Sequence, residues 1–159
     1  MLGQMRRKVR GIMLNNDLPS YCDQFDGRFE NLLRWPMLDE LWESLRSIAD
    51  DGWYIYAVGE TPPEEPVTSQ QLLDFIAQMD SLLRKDHDEE FCGIVYTDDR
   101  KSPKMVKIFD PNNLGSSCGS CGFRVLPGWI ISRQKPENLQ DAVFPVAANR
   151  RRWWQRIFK

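Results

Sequence analysis

At 159 residues the chain has the usual length of one domain and can bury a sizeable core without disulfide staples. Hydrophobic residues make up 42% and the formal net charge is only −2, which excludes disorder along the whole chain. No stretch approaches the roughly 20 continuous apolar residues of a membrane-spanning helix, and the short Gly11-Ile12-Met13-Leu14 behind a basic cluster makes no secretory signal, so the cytoplasm is the expected compartment.

The near-neutral total hides an asymmetry. Arg6, Arg7, Lys8 and Arg10 stand at the start of the chain, and Arg150, Arg151, Arg152, Arg156 and Lys159 at its end, with no acid in either cluster. Between them twelve basic residues face all 23 acids, a formal charge of −11. Residues 1–20 show no steady period and read as a basic arm. Residues 21–148 read as a single α+β domain, and 149–159 as a basic aromatic helix or tail.

In chain order, Phe25, Phe29, Leu32 and Leu33 fall at near-helical spacing between Tyr21 and Trp35. Pro36 then opens a new helix, with Leu38, Leu41, Trp42, Leu45, Ile48 and Ala49 on one stripe and Gly52 as its stop. The aromatic and β-branched run Trp53 to Val58 reads as a strand, and the triple-proline segment Thr61 to Pro66 as a rigid loop. Thr68, with Gln71 three residues on, has the form of a capping box. Behind it Leu72, Phe75, Ile76, Met79, Leu82 and Leu83 make one apolar stripe ending near Lys85.

Phe91 to Thr97 and Met105 to Phe109 read as strands joined by a polar turn. A further strand is expected from Phe123 to Arg133, bulged or at an edge because Pro127 cannot donate to a ladder. One helical turn and a crossing segment are expected over Glu137 to Phe144. The whole predicts an α+β fold, a mostly antiparallel sheet of about four strands with two or three helices on one face.

Two segments carry chemistry. Cys118 and Cys121 lie in a glycine-serine loop between expected strands, the local form of half a zinc knuckle. A full site needs four ligands, from Cys22 folded over the loop or from a second subunit's pair. Cys92 sits in an expected strand, where a structural thiol is the default. The redox reading lacks the helix that would follow the second cysteine. An inert loop stands ahead of both metal and redox use.

The second segment is the tail. As a helix it groups Trp153, Trp154, Ile157 and Phe158 on one side. Arg150, Arg151, Arg152, Trp153 and Trp154 are the candidate partner-binding residues. A protein partner comes first, then an anionic membrane surface, with nucleic acid last because the acidic body repels a polyanion. The competing reading is intramolecular, with the aromatics packed on the domain and arginines paired to its acidic surface.

Catalysis is not indicated. Any Ser-His-Asp or Cys-His mechanism would need the single histidine, His87, which falls at an expected helix end. Asp98, Asp99 and Asp110 suit ordinary turns. The expected function is that of a small non-catalytic binding or accessory protein. The alternative is a metal- or thiol-dependent accessory protein using Cys118 and Cys121.

Overall fold

The computed structural model describes residues 20–112, 126–139 and 148–158, with backbone alone at positions 148, 149, 151 and 152. The basic arm up to residue 19, the cysteine loop with Cys118 and Cys121, and the segment 140–147 lie outside the described residues.

The helices form where their caps and stripes dictate. Ser20 caps α1 (Tyr21–Phe25), its hydroxyl accepting from the Asp23 amide at 3.0 Å, so it belongs to the helix and not to the arm. Helix α2 (Trp35–Ser47) carries Pro36 in its first turn and buries Leu38, Leu41, Trp42 and Leu45. A 3-10 turn, Ala49–Asp51, completes the expected helix, and Gly52 ends it in the left-handed region at φ 84°. Helix α3 (Ser69–Asp86) starts with the full capping box between Thr68 and Gln71, and all six stripe residues are buried. Two ties lock α2 to α3: the Trp42 indole donates to Asp80 at 3.0 Å, and Arg84 pairs with Asp39 and Asp80 at 2.7 and 2.9 Å. Among the described residues no helix is long and apolar enough to cross a membrane.

Strands β1 (Glu30–Asn31), β2 (Tyr54–Ala57), β3 (Val95–Thr97), β4 (Met105–Ile108) and β5 (Trp129–Ser132) form one antiparallel sheet in the order β1-β3-β4-β5-β2. The fifth strand, beyond the four expected, is β1. It lies where the spacing suggested helix, because α1 ends at Phe25 and the chain then pairs Glu30 with Thr97. β5 is an inner strand, shorter than the expected run and neither bulged nor at an edge, since Pro127 stands ahead of the ladder. Gly128 begins the pairing, donating to Ile108 at 2.8 Å and accepting from Val58 at 2.9 Å.

The period-two alternation of the strands divides the core. Ile55, Ala57, Val106, Ile108, Trp129 and Ile131 face α2, α3 and the C-terminal helix α4 (Ala148–Ile157). Tyr56, Met105 and Ile130 face the other way, toward Tyr21 and Phe25 of α1, with Leu126 and Leu139 completing that cluster. Three helices therefore share one face, as expected, while short α1 helps cover the other. There the Lys107 ammonium lies over the Phe25 and Phe29 rings, 4.0 and 3.9 Å from their centroids.

Candidate functional site

Arg150 is the first long side chain of α4 and is 8% exposed. Its guanidinium makes a two-pronged contact with Asp110, Nε to Oδ2 and Nη2 to Oδ1, both at 3.0 Å. Nη2 also donates to Asp86 Oδ2 at 2.8 Å. A planar fork meeting a carboxylate in this way gives a charge-assisted pair of fixed direction. Burial alone would lower the Arg150 pKa, but the hydrogen bonds it donates to Asp110 and Asp86, with the charge of both, outweigh burial and raise it.

Each partner comes from a different element. Asp86 is the last residue of α3. Asp110 follows β4, is 6% exposed, and also accepts the Asn112 amide at 2.9 Å, so one carboxylate both shapes its turn and receives the arginine. The close approach depends on Gly128: a Cβ there would stand 3.2 Å from the Asp110 Cβ. Arg150 thus ties the C-terminal helix to the end of α3, to β4 and, through Gly128, to β5.

The aromatics follow the same direction. Trp153 is 8% exposed and meets Trp129 and Phe75 edge-on, with centroids 5.5 and 6.3 Å away. Half-buried Trp154 meets Phe75 at 6.2 Å and Phe158 at 4.5 Å. Gln155 and Arg156 are exposed, and Arg156 makes no ion pair among the described residues. Beside the clamp, Gln78, Ser81, Lys85, Asp86, Arg150 and Trp153 line an open cleft of about 220 Å³.

The five residues named for partner contact therefore divide. Arg150 and Trp153 are built into the domain, Trp154 is half-buried, and the side chains of Arg151 and Arg152 lie outside the described residues. The intramolecular reading describes what Arg150 and Trp153 do. Asp110, read as a turn residue, is the member the sequence left unassigned; its signal was the unbalanced acid of the body opposite a basic end.

The other candidates are placed more simply. Cys118 and Cys121 lie outside the described residues. Cys22 is exposed, with its thiol 3.7 Å from Glu137 Oε1. Burial first, then the charge of Glu137, raises its pKa, and burial does the same for Cys92. Neither is primed as a thiolate. Among the described residues no three His, Cys, Asp or Glu side chains gather as a metal-holding group.

His87 caps the end of α3, and its Nε2 lies 2.9 Å from the Cys92 carbonyl oxygen. Asp98 accepts the Lys104 and Met105 amides, and Asp99 accepts those of Lys101 and Ser102, which hold its carboxyl below the usual range. These are turn-forming uses. No protein-family model, curated protein or solved structure matches this chain.

Proposed function

We propose that this is a cytoplasmic, non-catalytic binding protein that contacts an acidic surface of another protein through the outward side of α4. The observation that carries the reading is the burial of Arg150 between Asp86 and Asp110. A helix held in this way is a fixed part of the surface, and it bears Arg151, Arg152 and Arg156 besides its anchor.

Helical spacing sets positions 152 and 155 opposite 150, 153 and 157, with exposed Arg156 on the flank. Cations carried on a helix whose backbone is already fixed favour a complementary acidic surface, because no backbone freedom is left to lose on binding. A membrane reading needs indoles free to enter the headgroup region, and Trp153 is occupied against Phe75 and Trp129. Repulsion from the acidic body disfavours nucleic acid.

The test is cross-linking and recovery from native extract with the full chain and with Arg152→Glu/Arg156→Glu. The reading expects a protein recovered with the first and lost with the second, at unchanged melting temperature. Identical recovery by both chains contradicts it.

The thiol alternative draws on one observation. Leu126, five residues after Cys121, packs in the same cluster as Tyr21, the neighbour of Cys22. On that reading Cys118 and Cys121 are zinc ligands, with Cys22 as a third.

A further inference from the structure

Leu33 and Phe91, 55% and 49% exposed, are the large apolar side chains most open to solvent among the described residues. They stand in adjoining segments. The Cys92 amide donates to the Leu33 carbonyl at 2.8 Å and the Gly93 amide to the Leu32 carbonyl at 2.9 Å.

The exposure is enforced by the surrounding structure. Residues 87–93 are a tied loop: His87 Nε2 lies 2.9 Å from the Cys92 carbonyl oxygen, the Glu89 amide donates to the His87 carbonyl at 2.9 Å, and the Trp35 indole donates to the Glu89 carbonyl at 3.1 Å. Trp35 is itself held between the Arg84 guanidinium, 4.8 Å from its ring, and the His87 ring at 6.3 Å. Buried Cys92 and Gly93, at φ 70°, turn the chain so that Phe91 stays outside.

The surroundings say what fits. Asp88, Glu89 and Glu90 precede Phe91, are all exposed, and make no ion pair among the described residues. One cation is already drawn to the spot, with the Arg34 guanidinium 5.7 Å from the Phe91 ring centroid. Three unpaired carboxylates beside two exposed apolar side chains repel anionic lipid and nucleic acid. They complement a segment that alternates cations with apolar side chains.

We propose that the Leu33–Phe91 patch with its acidic rim, Asp88 to Glu90, docks an arginine- or lysine-bearing apolar segment of a second protein. This surface is separate from the outward side of α4 and does not depend on it.

The test uses the full chain and a fluorescent peptide that alternates Arg and Leu at helical spacing, with the same peptide carrying Glu for Arg as its control. The basic peptide binds the unaltered chain, and affinity falls at least about tenfold in Phe91→Ser and in Glu89→Lys/Glu90→Lys. Asp50→Lys, an exposed charge change on another segment, leaves it unchanged. Both patch variants alter exposed side chains, so their melting temperatures stay at the unaltered value. No binding of the basic peptide, equal binding of the Glu peptide, or binding insensitive to both patch variants overturns the proposal. Self-association of the unaltered chain that Glu89→Lys/Glu90→Lys abolishes makes a second copy the occupant, and also overturns it.

Discussion

Arg150 shows how little a residue type says about its employment. Its composition-rich neighbourhood suggests a partner, yet its guanidinium is turned inward onto Asp110 and Asp86. A buried ion pair adds little over a well-packed apolar pair, but breaking one leaves an uncompensated charge. Arg150→Met is therefore expected to cost about 3–5 kcal/mol in urea unfolding. The double change Arg150→Met/Asp110→Asn should recover part of that loss, since it leaves less charge stranded. Gly128→Ala tests the same contact from β5 and should cost about 1–3 kcal/mol, because the added methyl displaces Asp110. A Gly128→Ala chain as stable as the unaltered one would remove Gly128 from the account. Tyr21 gives a pH signature: burial foremost raises its phenol above the ordinary 10.0. Its contribution is complete below that value and is lost as pH rises past it, because the unfolded chain releases the proton first. Tyr21→Phe should therefore flatten the fall in urea midpoint between pH 9 and ~11.

Among the elements, those with a local cause were legible. The capping box between Thr68 and Gln71, the stripe of α3 and the Gly52 stop all follow from side chains within a few residues of one another. Thr68→Ala should lower stability by about 1 kcal/mol, read from the same urea transition, by freeing the Gln71 amide. The elements that were misread are those decided by distant partners. Two-residue β1 has no period of its own and exists because β3 offers an edge. Phe91 to Thr97 has the composition of one strand, yet Gly93 turns the chain and only Val95–Thr97 joins the ladder. That break is what leaves Phe91 in solvent. The docking of α4 depends on Phe75, Trp129 and Asp110, each far away in sequence, so a helix-wheel reading of the tail could not choose between partner and domain. Trp153→Ala should cost about 3–5 kcal/mol by urea unfolding, a loss that a freely projecting helix would not produce.

For the whole molecule, the asymmetry of charge was the most useful clue, because it raised the competing reading, in which the basic end pairs with the acidic body, as Arg150 does with Asp110 and Asp86. The α+β class and the antiparallel sheet were also legible, from runs of aromatic and β-branched residues and their order among the helical stripes. The cysteine reading makes its own prediction at this scale. If Cys118 and Cys121 hold zinc, purified protein carries the metal, and replacing both with serine abolishes it and lowers stability. Full stability of the double variant, with no metal in either chain, leaves the α4 reading alone. That reading rests on α4 being fixed by the Arg150 clamp. Hydrogen exchange of the backbone amides of Arg152 to Ile157, those with a carbonyl partner four residues back inside α4, tests this most directly. Protection close to that of α3, lost selectively in Arg150→Met, is the expected result; rapid exchange along α4 in the unaltered chain would contradict a fixed, displayed helix and the function drawn from it.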